Sequence, residues 1–131
     1  MRTEFLNVDL DLQGDVSDLL PALGSNVITL RQTTKEATLE LAVQPRSADD
    51  AIRRIADLIR KLPISARSAW DGCIARKMNV GIQGGDQPHE AQFNLSLDAL
   101  TALVDLRAEV IFTVYSSEEP SDTIEGAVGK R

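Results

Sequence analysis

The stretch Cys73–Tyr115 constrains the fold most, because its hydrophobic pattern changes period several times within a short length. Apolar and polar residues alternate along Arg76–Gln83, which is typical of a strand with one buried face. Gly84–Pro88 then interrupts the chain, since glycine permits positive φ and proline cannot donate to a ladder. The alternation resumes along Ala91–Ser96. Together these segments predict a β-hairpin closed by the glycine-rich turn.

A helix and a final strand are predicted after this hairpin. Leu97–Arg107 has helical spacing, and the preceding Ser96 is a residue type that caps helix N-termini. The predicted buried stripe of this helix consists of Leu100, Leu103 and Val104. Glu109–Tyr115 is rich in β-branched and aromatic residues and is predicted to be a strand.

The first half of the chain predicts three strands and a long helix. Phe5–Gln13 alternates strictly, with Leu6 among the residues on its apolar side. Val27–Arg31 and Ala37–Gln44 are separated by a short connection and are expected to form an antiparallel hairpin. Ser47–Leu62 combines a capping serine with one apolar stripe and predicts the longest helix. The pattern leaves open whether Gly14–Gly24 and Ile64–Gly72 are helical.

These elements predict the α+β fold class. Amphipathic helices and strands with one apolar face each are most simply accommodated in a two-layer sandwich. We expect a largely antiparallel sheet with the two main helices on one face, a ferredoxin-like arrangement or an elaboration of it. Residues 1–116 are expected to form a single domain. Residues 117–131 are acidic and polar at first and lack apolar periodicity, so we expect a disordered tail.

Composition excludes several classes of function. The chain has 131 residues and a formal net charge of −6, which argues against a phosphate-binding surface for nucleic acid and against docking on anionic membranes. A single cysteine excludes an internal disulfide, and a single histidine excludes the usual Cys/His zinc sites. The first residues do not form an apolar signal segment, and no run is long enough to span a bilayer. We therefore expect a reduced, cytoplasmic protein.

No motif indicates a catalytic centre, a cofactor site or a metal site. The glycines in Gly81–Gly85 are not followed by a helix start or a Lys-Ser/Thr pair, so they predict a turn and not a phosphate loop. His89 is expected in solvent beside the turn, and Cys73 as a small buried hydrophobe. Asp9 and Asp11 share a strand face and could form half of a carboxylate pair or a Ca²⁺ site. Because calcium needs several oxygen ligands from a loop and no EF-hand spacing is present, two solvated carboxylates are the simpler interpretation.

A polar, amide-rich surface is predicted on the side of the sheet away from the helices. Such a composition is typical of a wet interaction surface, although antiparallel sheets often simply face water on one side. Phe5 and Ile111 are expected to interrupt it, while Thr29 is expected to belong to it. The candidate binding residues are Asp9, Asp11, Asn79, Gln83, Gln92, Asn94 and Tyr115.

The second half of the chain resembles small bacterial domains of uncharacterised function over roughly residues 70–115. The resemblance is carried by Trp70-Asp71, Arg76, Val80-Gly81-Ile82, Gly84-Gly85, Pro88, the Ser-capped helix and the closing Val-Tyr strand. It implies an α+β fold and, for some of those domains, an accessory or immunity-type role. It implies no catalytic residues.

The sequence therefore favours a binding protein that meets a protein partner, or a second copy of itself, through the polar face of its sheet. One alternative is a small-ligand sensor of the ferredoxin-like regulatory kind. A further alternative is a hydrolytic enzyme that uses Asp9 or Asp11, with His89 as a more distant participant.

Overall fold

The computed structural model describes residues 1–116, and these form an α+β fold with a five-stranded sheet and four α-helices. The expected tail, residues 117–131, lies outside the described residues. In chain order the elements are β1 (Glu4–Gln13), α1 (Leu19–Leu23), β2 (Val27–Gln32), β3 (Glu36–Leu41), α2 (Ala48–Arg60), α3 (Ile64–Asp71), β4 (Ala75–Gln83), α4 (Leu97–Asp105) and β5 (Glu109–Tyr115). A 3₁₀ turn, Gly24–Asn26, joins α1 to β2.

The sheet is open, with the strand order β2-β3-β1-β4-β5. The pairs β2–β3, β3–β1 and β1–β4 are antiparallel, whereas β4 and β5 are parallel. Parallel neighbours need a crossover connection, and α4 supplies it. The predicted hairpin of β2 and β3 and the predicted, largely antiparallel sheet are therefore confirmed. None of the four helices is long and apolar enough, over the residues described, to cross a membrane.

Strand β1 lies in the centre of the sheet and separates two faces. Leu10 is paired with Leu39 on one side and Met78 on the other, and all three side chains are buried. We call the side of the sheet that carries them the core face. In the next row, Asp9 lies between Glu40 and Asn79, and the side chains of these three residues lie on the opposite side of the sheet. We call that side the open face.

Helices α2 and α3 contribute large side chains to the core. Ile52, Ile55 and Ile59 of α2 are buried, as their helical spacing predicts. Trp70 of α3 is fully buried, and its indole Nε1 donates a hydrogen bond to the backbone carbonyl of Leu106 at 3.1 Å. The indole donor is thereby satisfied inside the core, as buried tryptophans require.

The N-terminus of α2 is capped as the sequence predicts. The Ser47 hydroxyl accepts a hydrogen bond from the Asp50 backbone N–H at 3.0 Å. The Asp50 carboxylate accepts from the backbone N–H of Arg46 at 2.9 Å, one residue before the cap, instead of from Ser47 itself. Asp49 and Asp50 also make i,i+4 ion pairs with Arg53 and Arg54.

The predicted strand Ala91–Ser96 is wrong, and so is the hairpin that it was to complete with β4. This segment has no regular secondary structure; Phe93 and Leu95 pack at the edge of the core, and the chain continues into α4. The edge of β4 that a hairpin strand would have used is occupied by β5. The alternating apolar residues of this segment pack against the core although the segment is not a strand.

The glycines after β4 serve close packing and not a hairpin turn. Thr3 Oγ1 and Gly85 exchange hydrogen bonds, each at 3.0 Å, and Gly84 N–H donates to the Tyr115 carbonyl at 2.8 Å. A Cβ atom on Gly84 would lie 2.8 Å from that carbonyl oxygen, and one on Gly85 would collide with the backbone of Met1. Glycine is needed at both positions because backbones approach too closely for a side chain.

The buried side of α4 also differs from the prediction. Leu103 is buried as expected, but Leu100 is 43% exposed and Val104 is 76% exposed. The helix instead buries Ala99, Ala102 and Leu103, and the residue after its end, Leu106, is buried as well. The Ser96 cap is confirmed by the hydrogen bond that its hydroxyl accepts from the Ala99 N–H. The backbone N–H of Ser96 in turn donates to Asp49 of α2 at 2.7 Å, which fixes the start of α4 beside the start of α2.

Substitution of Ile55 tests the assignment of the buried stripe of α2. Because Ile55 is buried, Ile55→Ala should lower the free energy of unfolding by about 2–5 kcal/mol in denaturant titrations. The neighbouring Arg54 is half-buried and takes part in a surface ion pair, so Arg54→Ala should cost at most about 1 kcal/mol. Equal costs would contradict the assignment.

Candidate functional site

The structure brings five of the seven candidate binding residues onto the open face. Asp9 and Asp11 lie on β1, Asn79 and Gln83 on β4, and Tyr115 at the end of β5. They are neighbours because Asp9 pairs with Asn79 and Gln83 pairs with Tyr115. The other two candidates, Gln92 and Asn94, are exposed on the irregular segment that leads into α4. They do not belong to this cluster, because the strand that was expected to carry them does not form.

An open hollow lies on this face between β1 and the end of β5. We call it the open-face hollow; its lining residues are Leu6, Asn7, Asp9, Asn79, Gly81 and Tyr115. Gly81 creates the space, since a Cβ atom there would lie 3.6 Å from Tyr115 Cε2 and 3.6 Å from the Asn7 carbonyl oxygen. Any side chain in place of Gly81 would therefore project between Tyr115 and β1. The half-exposed tyrosine ring forms one wall of the hollow.

Two neighbouring carboxylates on this face have hydrogen-bond partners. Asn7 Nδ2 donates to Glu40 Oε2 at 2.9 Å. The hydroxyl of Thr38 donates to Asp11 Oδ1 at 2.9 Å. Both bonds join β1 to β3 across the open face and hold these two carboxylates in place.

Asp9 lies between them without such a partner. No other residue in the described range 1–116 donates a hydrogen bond to its carboxylate or forms an ion pair with it. Partial burial raises the pKa of Asp9 most, and the negative charges of Glu40 and then Asp11 raise it further. A half-buried carboxylate whose ionised form is disfavoured therefore faces the hollow beside two further carboxylates.

Asn79 adds a hydrogen-bond donor next to Asp9. Its Oδ1 accepts from the Thr113 hydroxyl at 2.8 Å, which fixes the orientation of the amide. Within the described part of the chain no acceptor is bound to the amide nitrogen of Asn79. The hollow therefore offers a carboxylate, an amide donor and an aromatic ring to a bound group.

Gln83 has a different role in the geometry. Its Nε2 donates to the Gly84 carbonyl at 3.1 Å and to the Ser116 carbonyl at 3.0 Å. These bonds tie the end of β4 to the end of β5, next to the bond from Gly84 to Tyr115. The Gln83 side chain thus supports the position of Tyr115, while its amide nitrogen is already engaged.

Sequence reasoning missed two residues that shape the hollow, Leu6 and Gly81. The register of β1 against β4 shifts between Phe5 and Asn7, so the simple alternation fails there. Phe5, expected on the open face, packs against the core, whereas Leu6, expected in the core, lines the hollow. The expected place of Thr29 on the open face is also wrong, because it pairs with the buried Leu39. The sequence offered one signal for the hollow, Gly81 in the middle of β4, because a glycine inside a strand often marks a place where a ligand or another backbone comes close.

Other reactive groups lie elsewhere. Cys73 is buried, and burial raises the pKa of its thiol, with only partial opposition from Arg76. His89 is exposed in the loop after β4. No group of three or more His, Cys, Asp or Glu residues within positions 1–116 is arranged to hold a metal ion.

Comparison with known proteins found no matching family model, no matching curated protein and no matching solved structure. The resemblance to small bacterial domains stays a prediction from the sequence. Any function for this chain has to be argued from the open face and its hollow.

The raised pKa of Asp9 predicts how stability depends on pH. The folded protein retains this proton at pH values where the unfolded chain, with an ordinary pKa near 3.8, has lost it. The stability associated with the protonated form is therefore lost as the pH rises from 3.8 through the raised pKa. Asp9→Asn should then raise the free energy of unfolding at pH 7, and the gain should shrink below pH 3.8.

The control is Asp57→Asn, which removes the same charge from an exposed position on α2. This variant should show no comparable gain in denaturant titrations at the two pH values. A lower stability of Asp9→Asn at pH 7 would show that the carboxylate is a structural partner after all.

Proposed function

We propose that this protein binds a protein partner through the open face of its sheet, and that the open-face hollow receives an arginine or lysine side chain of that partner. The observation that carries the proposal is Asp9, a half-buried carboxylate that has no hydrogen-bond or ion-pair partner in the described chain. Partly buried charges are normally paired. A cation from outside would provide that pairing.

The electrostatics of the open face favour a cation over a neutral or anionic group. Asp9 is flanked by Glu40 and Asp11, whose charges raise its pKa. A positive group bound beside Asp9 would be attracted by all three carboxylates at once. The net charge of −6 acts in the same direction over longer distances, since it raises the rate of encounter with a basic partner.

The chemistry of the walls favours arginine in particular. A guanidinium group can pair with the Asp9 carboxylate through two parallel hydrogen bonds. Its planar face can stack on the exposed ring of Tyr115. Leu6, also on the wall, can contact the aliphatic stem of the same side chain.

We also propose a two-layer, ferredoxin-like arrangement of the helices and the sheet, and a cytoplasmic location. Hydrolysis by a carboxylate pair is disfavoured, because Asp11 and Glu40 are both engaged by neighbours on the sheet, which leaves Asp9 without a second free carboxylate. A small-ligand sensor would use the same hollow and is separated from a protein-binding module by experiment.

The proposal is tested by titration with the peptide acetyl-Gly-Arg-Gly-amide, followed by the backbone amide resonances of Asn79 and Gly81. Saturable shifts are expected, because both residues line the hollow. The same peptide with citrulline in place of arginine has nearly the same shape but no charge, and it should bind at least about tenfold more weakly.

Protein variants make the test specific for Asp9. Asp9→Asn should weaken binding of the arginine peptide at least about tenfold, whereas Asp57→Asn should leave it unchanged. Equal binding of the citrulline peptide, or full binding to Asp9→Asn, would overturn the proposal. Free arginine that binds as tightly as the peptide would favour the ligand-sensor alternative.

A further inference from the structure

Strand β5 forms one edge of the sheet, and no further strand within residues 1–116 pairs with its outer side. Its register with β4 is regular over all seven residues, and its sequence contains no proline, lysine or arginine. The opposite edge, β2, has a register shift between Thr29 and Arg31, and the Arg31 guanidinium pairs with Glu36. Bulges and charges of this kind prevent edge pairing, whereas a regular apolar edge permits it.

The backbone groups of β5 that have no partner within residues 1–116 can be identified from one hydrogen bond. Gly84 N–H donates to the Tyr115 carbonyl, so the backbone groups of Tyr115 point toward β4. Successive residues of a strand direct these groups to opposite sides. The residues whose N–H and C=O groups point to the free edge are therefore Val110, Phe112 and Val114.

Apolar side chains accompany these free groups. Phe112 is 46% exposed and Val114 is 63% exposed, although both pair with buried residues of β4 and so lie on the core face of the sheet. On the open face Ile111 and Tyr115 are also exposed. The edge thus presents apolar groups on both faces, which is a feature of interaction surfaces.

Helix α4 also exposes apolar side chains. Its exposed residues Leu97, Leu100 and Val104 are spaced along one stripe of the helix. On a helical wheel this stripe lies on the other side of the helix from the buried residues Ala99, Ala102 and Leu103, so it faces away from the core.

We propose that two copies of this chain associate by antiparallel pairing of their β5 strands, around a two-fold axis that passes beside Phe112. The pairing would place Phe112 opposite Phe112 of the second copy, and Val110 opposite Val114, so that each free N–H and C=O group meets a partner. The remaining opposed pairs are Ile111 with Thr113 and Glu109 with Tyr115.

The strand is complementary to itself in this register. Its only charged residue, Glu109, meets an aromatic residue and not a second carboxylate, and the pairs on the core face are apolar. The axis also keeps the two core faces on the same side of a continuous sheet. A two-fold interface of this kind is the commonest form of self-association.

The test uses the full chain and a charge exchange at the position that meets itself. Phe112→Lys and Phe112→Glu each place two like charges opposite one another, so each variant alone should dimerise at least about tenfold more weakly than wild type. An equimolar mixture of the two variants should recover the dimer, because lysine then meets glutamate. Analytical ultracentrifugation measures all three samples.

The control is Leu30→Lys on the opposite edge, where Leu30 is 49% exposed; this variant should dimerise like wild type. Circular dichroism checks that each variant is folded. If the Phe112 variants are unfolded, Val114→Lys changes an exposed residue of the same strand and should also weaken dimerisation.

A monomeric wild type would overturn the proposal and leave the edge to residues 117–131 or to a different protein. A dimer weakened by Leu30→Lys, or folded charge variants that fail to associate when mixed, would overturn it as well.

Discussion

Strand β1 is hydrogen-bonded along both of its sides, to β3 and to β4, and this double pairing orients every side chain at the centre of the sheet. Leu10 is held between two buried residues, and one position earlier Asp9 is held between Glu40 and Asn79 on the other face. A slip of one residue would exchange the two sets and place carboxylates in the core. The core and the candidate site therefore depend on the same register, because neither face can be changed without the other.

Local patterns were sufficient to predict the parts of the fold that are determined locally. Spacing within one segment predicts the alternation of β1 from Asn7 onward, the β2–β3 hairpin, the Ser47 cap and the stripe of α2. The placement of Asp9 and Asn79 on one face follows from the same alternation. The segment 91–96 shows where such reasoning fails. Phe93 and Leu95 alternate with polar residues as in a strand, but the edge of β4 is taken by β5, which pairs with it in parallel after the α4 crossover. Which of two segments pairs with the edge of β4 depends on tertiary structure, and the hydrophobic spacing within either segment does not predict it.

Helix α4 illustrates a second limit of prediction from sequence. Both of its sides are apolar, one with Leu97, Leu100 and Val104 and the other with alanines around Leu103, and size suggests that the larger residues are buried. The structure buries the smaller ones. Buried alanines also occur on α2, at Ala51 and Ala56, and small residues permit close approach of packed elements. The hydrogen bond from Ser96 to Asp49 fixes where α4 begins relative to α2, and such a contact between distant segments is not visible in the local pattern.

Asp9 is the residue on the open face that folding explains least. Its two neighbouring carboxylates are each held by a hydrogen bond, Glu40 by Asn7 and Asp11 by Thr38, so their charges are partly compensated. Asp9 receives neither bond, and burial together with those two charges makes its ionised form unfavourable. A threonine or valine at the same position would suit a strand better and would carry no charge to desolvate. Where a sequence keeps a residue that disfavours its own fold, a functional constraint is the expected cause. The proposed positively charged group in the hollow beside Asp9 would offset that cost.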